Sequence, residues 1–158
     1  MPAATRSRRE PFPVRDDGGM AAVERLVTSV DLEHESADGR SSTVSARLEA
    51  VLVDGRRVLL LDDRGWSSSG SSDIWASTTL QEMENTARMV VGPDEPPPGR
   101  SWEAEEALHW AHLAGTLDQH GVPADGVELM RLPHDVVLSE PLLTRLARSR
   151  PDTCHGSR

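Results

Sequence analysis

The chain has 158 residues, the length of one domain, and its 26 acidic side chains outnumber 17 basic ones to give a formal charge of −9. It contains neither lysine nor tyrosine, which excludes a Schiff-base lysine, the lysine of a phosphate-binding P-loop and a catalytic tyrosine. Its single cysteine, Cys154, excludes an internal disulfide, a CxxC redox pair and a cysteine-based zinc site.

Charge is separated along the chain. Residues 1–15 carry four arginines against one glutamate, and residues 143–158 carry four arginines against one aspartate, so residues 16–142 carry −15. A body this acidic repels phosphate backbones and suits a basic surface. We therefore predict a protein partner, in particular a basic one, rather than nucleic acid, although the arginine-bearing ends leave open a weak contact with nucleic acid.

The two ends differ from the body in composition as well. Residues 1–19 and 150–158 are polar and are predicted to be disordered tails around a single domain at 20–149. Residues 1–19 include arginines but lack the apolar stretch of a secretory signal, and no apolar run approaches the roughly 18 residues that cross a bilayer. Together with the lone cysteine, this composition predicts a cytoplasmic protein with no membrane partner.

The first half of the body has the period of β-strands. Apolar and polar residues alternate from Leu26 to Glu33 and again from Val44 to Leu52, and turn signals with Asp-Gly-Arg occur at 38–40 and 54–56. A third strand, RVLLLDD at 57–63, has four consecutive apolar residues, which indicates burial on both faces. Short connections favour an antiparallel meander.

The second half has the period of helices. A capping box, formed by Thr78 with Gln81 or by Thr79 with Glu82, begins a helix that ends at Gly92. Ser101 begins a second helix, PADGVELMRL at 123–132 contains a short third one, and Ser139 begins a fourth. The predicted apolar stripe of the second helix consists of Ala107, Trp110, Ala111, Ala114 and Leu117.

These elements predict an α+β fold, in which three to four antiparallel strands form a meander and three to four helices then pack on one face. The alternative is an all-helical second half that docks separately on a hairpin domain. The stretches WASTTLQEMENTARMVVGPDEP at 75–96 and LPHDVVLSEPLL at 132–143 resemble stretches of small proteins of actinobacterial type with no established activity. That resemblance covers the helical half and implies no function.

The stretch LLLDDRGWSSSGSSDIWASTT at 59–79 brings three carboxylates and two indoles close in sequence. It can be a solvated loop, a loop that contacts a partner, or part of a site for Mg²⁺ or Ca²⁺, which prefer oxygen ligands. The predicted partner-binding residues are Asp62, Asp63, Trp66, Asp73 and Trp75. The two tryptophans also suit anchoring of the loop on the sheet.

Histidines supply the alternative site. His109 and His112 follow Glu106 at i+3 and i+6, but HExxH is absent and no second Glu-x-x-His helix exists to complete a di-iron site. The metal alternative therefore combines the side chains of Asp62, Asp63, Asp73, His109 and His112.

A catalytic set is not evident from the sequence. His134, Asp135 and Ser139 have the three residue types of a catalytic triad, but a triad is recognised by geometry. Ser139 directly precedes Glu140-Pro141 and is explained as a helix cap. We therefore predict no catalytic residues and no cofactor. The predicted function is that of a small acidic protein of accessory, regulatory or immunity type that binds a protein partner. The alternative is a small divalent-metal-dependent enzyme or ligand-binding domain.

Overall fold

Three long strands follow one another at the start of residues 22–149, the part of the chain that the computed structural model describes. They are β1 (Val23–Glu35), β2 (Ser41–Leu52) and β3 (Arg57–Ser69). A 3-10 turn (Ile74–Ser77) then leads into the helices α1 (Leu80–Val90), α2 (Trp102–Gln119) and α3 (Gly126–Arg131), and the chain continues through a short strand β4 (His134–Leu138) into α4 (Glu140–Arg148). The α+β class predicted from the sequence is confirmed, whereas the predicted tails lie outside the described residues.

The four strands form one mixed sheet in the order β3-β2-β1-β4. β1 pairs with β2, and β2 with β3, in antiparallel fashion, but β4 runs parallel to β1, with Leu26 opposite His134 and Val30 opposite Leu138. The prediction of a purely antiparallel meander was therefore wrong. Parallel neighbours require a long connection, and here the chain between β1 and β4 contains β2, β3 and the helices α1, α2 and α3.

The core lies on one face of the sheet, where alternate residues of the strands point towards the helices. A larger cluster joins Leu26, Leu48 and Leu52 to Leu113 and Leu117 of α2. A smaller cluster joins the strands to α1, α4 and the 3-10 turn, with these buried members: Val30, Val44, Trp75, Met83, Ala87, Leu138, Leu142 and Leu146. Each cluster therefore contains residues from both strands and helices.

The starts of α1, α2 and α3 are set by side-chain caps. The hydroxyl of Thr79 accepts a hydrogen bond from the Glu82 amide at 3.2 Å, and the Glu82 carboxylate accepts one from the Thr79 amide at 2.9 Å. Ser101 caps α2, and Asp125 caps α3. Among residues 22–149, no helix has both the length and the hydropathy that are needed to cross a membrane.

The predicted stripe of α2 is correct at Ala114 and Leu117, which pack in the larger cluster, and wrong at Ala107 and Ala111. Its fully buried residues are Leu113 and Leu117, whereas Ala107 and Ala111 are exposed and Trp110 is half-buried at the edge of the larger cluster. The two alanines were assigned to the core because alanine counts as apolar on any face of a helix. The leucines bury more apolar area each, and their burial fixes the rotation of the helix.

Candidate functional site

The two aspartates at the predicted end of the third strand lie inside it. β3 continues past Asp62 and Asp63 to Ser69, and it forms one edge of the sheet. Both side chains are exposed, and the pairing between β2 and β3 is irregular beside them, between Ala46 and Glu49. Bulges and exposed charges on an edge strand obstruct pairing with a strand of another chain.

Asp73 has a different environment from the other two carboxylates. It is the N-cap of the 3-10 turn and accepts a hydrogen bond from the Trp75 amide at 3.0 Å. Its carboxylate also lies 3.5 Å from Nη2 of Arg145 in α4. The backbone of the turn is fixed as well, because the Ile74 amide donates to the Gly39 carbonyl at 3.0 Å. The segment after β3 is therefore structured at Asp73 and is not a freely solvated loop there.

The two tryptophans of this segment pack inwards. Trp75 is 2% exposed in the smaller cluster, and Trp66 is partly buried between the two clusters. Of the five predicted partner-binding residues, the structure brings Asp73 and Trp75 together and leaves Asp62 and Asp63 as the exposed members on β3. Partner binding by these residues remains a prediction.

The residues of the metal alternative do not come together. Within residues 22–149, no group of three or more His, Cys, Asp or Glu side chains is placed to hold a metal ion. His109 is half-buried on α2, whereas His112 is exposed. Burial lowers the pKa of His109, and the nearby Arg64 guanidinium lowers it further, so the neutral ring is favoured.

His134, Asp135 and Ser139, the three residue types of a triad, each have different surroundings. His134 lies in β4, where its Nε2 shares a hydrogen bond of 2.6 Å with Oγ1 of the buried Thr28. Burial lowers the pKa of His134, and the Arg88 guanidinium acts in the same direction. Asp135 points elsewhere and pairs with Arg25 at 3.2 Å. Ser139 occupies the N-cap position of α4, as predicted, although its side chain makes no capping hydrogen bond.

A groove between α2 and α3 was not predicted from the sequence. It has a volume of about 380 Å³. The helices approach closely at Gly126, where an added Cβ would lie 3.0 Å from the backbone carbonyl carbon of Trp110. The lining residues come from both helices and from the α3 cap: Glu103, Glu106, Ala107, Trp110, Ala111, Asp125, Gly126, Val127 and Met130.

The groove combines an apolar lining with negative charge. Val127 and Met130 are 53% and 42% exposed, which leaves apolar area open to a binding partner. Glu103, Glu106 and Asp125 supply three carboxylates, and none of the described residues that line the groove is basic. Arg100 pairs with Glu105 at 2.7 Å, and neither of these two residues lines the groove.

The sequence contained one signal for this groove. Glu103 and Glu106 lie on the same side of α2 as Ala107 and Ala111. A helix face that packs in the core does not usually carry carboxylates, so their presence beside the alanines indicates an exposed face. No protein-family model, curated protein or solved structure was found to match this chain.

Proposed function

We propose that this chain is a small acidic protein that acts by binding a protein partner, in an accessory, regulatory or immunity-type role in the cytoplasm. The observation that carries the proposal is the groove between α2 and α3, where exposed apolar side chains lie beside three carboxylates. Exposed apolar area with a polar rim is typical of surfaces that bind other proteins. The single cysteine supports the cytoplasmic location.

The charge of the body supports a basic protein partner rather than nucleic acid. Residues 16–142 carry −15, and opposite charge on a partner would accelerate their association. The alternative of a metal-dependent activity has no assembled ligand set within residues 22–149 to support it.

A variant that fills the groove tests this proposal. Ala107→Phe combined with Ala111→Phe places two large side chains at exposed positions of the groove, and His112→Phe is the control at an exposed position of α2 whose helix neighbours do not line the groove. A partner captured from the native host should be purified and its affinity measured against each chain. We expect the groove-filled chain to lose binding and the control to keep it.

Equal affinity of the purified partner for the wild-type chain and the groove-filled chain would contradict the proposal. The melting temperatures of both variants should first be compared with that of the wild type, because a loss of folding would also remove binding. Both substitutions replace exposed residues, so we expect both variants to fold.

A further inference from the structure

We infer that the groove between α2 and α3 recognises an arginine side chain of the partner together with a neighbouring apolar side chain. The inference rests on the proposed function and adds the chemistry of the bound segment. Three observations carry it: the placement of the carboxylates, the tryptophan in the wall and the exposed apolar residues of α3.

The carboxylates come from both sides of the groove. Glu103 and Glu106 lie at i and i+3 on α2, which makes them neighbours on the helix surface, and Asp125 lies at the start of α3. One oxygen of Asp125 already accepts a hydrogen bond from the Val127 amide at 2.7 Å. A cation that enters between the helices therefore meets negative charge on both sides, whereas an anion is repelled.

Trp110 favours a planar cation with an apolar stem. It lines the groove and is the largest side chain there, and tryptophan is the best aromatic partner for a cation above its ring. The stem of an arginine packs on apolar surface while its guanidinium stays near solvent. Arginine is favoured over lysine because its guanidinium stacks on aromatic rings and binds carboxylates through two parallel hydrogen bonds.

The apolar residues of α3 account for the second side chain. Val127 and Met130 are exposed beside the carboxylates, and methionine adapts its shape to the group that it contacts. The volume of about 380 Å³ is at the low end of the range of about 300–1,000 Å³ for ligand pockets. A groove of this size suits a few side chains of a segment rather than the burial of a whole helix.

Three fluorescent peptides of matched length test the inference by anisotropy. The first contains arginine next to leucine, the second has citrulline in place of arginine, and the third has lysine. Citrulline keeps the shape of arginine without its charge. We expect the arginine peptide to bind on the order of tenfold more tightly than the citrulline peptide, with lysine between them, and its affinity to fall as salt rises.

The variants separate the groove from the general charge of the body. Glu103→Gln with Glu106→Gln removes two charges from the groove, and Glu95→Gln with Asp118→Asn removes two exposed charges elsewhere. We expect only the first pair to weaken the arginine peptide, by on the order of tenfold, and to leave the citrulline peptide unchanged. Equal weakening by both pairs would show that the groove is not the arginine site and would overturn the inference.

The contribution of Trp110 to arginine binding is measured by comparing the wild-type chain and Trp110→Leu with the arginine peptide and the citrulline peptide, as in a double-mutant cycle. Trp110→Leu should reduce the preference for arginine over citrulline by about two- to fivefold, because a cation-π contact is lost. The result also separates the inference from the proposed function. If the purified partner binds through the groove but arginine and citrulline peptides bind equally, the inference fails and the function stands. If the purified partner binds the groove-filled variant as tightly as the wild-type chain, the proposed function itself fails.

Discussion

The guanidinium carbon of Arg145 lies 5.3 Å from the centre of the Trp75 ring, which joins the last helix to the segment after β3. Nε of the same arginine lies 3.1 Å from the Glu35 carboxylate, and Nη2 lies 3.5 Å from that of Asp73. Nη1 donates to the Ser149 hydroxyl at 2.7 Å. One side chain therefore connects the end of β1, the 3-10 turn and α4.

Arg145→Lys should lower the free energy of unfolding by about 1–3 kcal/mol, because an ammonium cannot reproduce the planar donors that face two carboxylates and a ring. Because the carboxylates of Glu35 and Asp73 are partly exposed, we expect a loss near the lower end of this range. Urea unfolding measures the change. Arg148→Lys, at an exposed position of the same helix, is the control and should change stability by less than about 0.5 kcal/mol. Equal effects of the two substitutions would contradict the role of Arg145.

The three carboxylates of the 59–79 stretch should differ in their effect on stability. Asp73→Ala removes an N-cap and an ion-pair partner of Arg145, so we expect a loss of about 0.5–2 kcal/mol. Asp62→Asn with Asp63→Asn, on the exposed edge strand, should change stability by less than about 0.5 kcal/mol. The order of the denaturation midpoints tests this. A similar loss at all three positions would indicate a shared site that the structure does not show.

Acidification should destabilise the fold through two histidines. The pKa of His109 and the pKa of His134 are both lowered by burial, whereas an unfolded histidine has a pKa of about 6.5. Below that value the unfolded chain binds more protons than the folded chain. The stabilisation that comes from the lowered pKa of these histidines is therefore complete above about pH 6.5 and is lost as the pH falls. The free energy of unfolding then falls by at most about 1.4 kcal/mol per pH unit for each histidine.

Urea unfolding at pH 7.5 and at pH 5.5 measures this contribution. His134→Gln should reduce the difference between the two conditions, since its side chain does not titrate and can still bond to Thr28. An undiminished difference in the variant would show that His134 carries none of the pH dependence.

The rotation of α2 can be checked with a matched pair of substitutions. Leu113→Ala should cost about 2–5 kcal/mol because the leucine is fully buried. Ala107→Ser should cost less than about 0.5 kcal/mol at its exposed position. Thermal or urea unfolding of both variants decides the matter, and the opposite order would restore the stripe predicted from the sequence.

The close approach of α2 and α3 gives a further prediction. Gly126→Ala places a Cβ 3.0 Å from a backbone atom of Trp110, which cannot move as a side-chain end can. We expect a loss of about 1–3 kcal/mol from the resulting shift of α3. Gly115→Ala is the control, because its added Cβ meets nothing within 4 Å and alanine suits a helix. A stabilising Gly126→Ala would show that the helices are farther apart than described.

Local patterns were enough to predict much of the fold. Alternation predicted β1 and β2, and the two possible capping boxes, at Thr78 or Thr79, predicted the start of α1 to within one residue, because each depends on residues that are close in sequence. β4 was missed because its five residues follow Pro133 and lie among helices, and because its partner strand is far away in sequence.

The candidate site was less predictable for the same reason. The pairing of Asp73 with Arg145 joins distant parts of the chain, and neither residue indicates the other in the sequence. The groove depends on the rotation of α2, which the alanines at 107 and 111 leave undetermined. Only packing of Leu113 and Leu117 against the sheet decides which side of that helix remains open.

The parallel pairing of β4 with β1 also affects the order of events during synthesis. β1, β2 and β3 can pair as soon as they leave the ribosome, but the second edge of β1 has to wait for residues 134–138. Contacts this distant in sequence are slow to form, and an unpaired edge is open to association with other chains in the meantime. The rate at which Leu26 acquires protection from hydrogen exchange on that edge should therefore follow the formation of β4, since its amide donates to the Pro133 carbonyl at 2.9 Å.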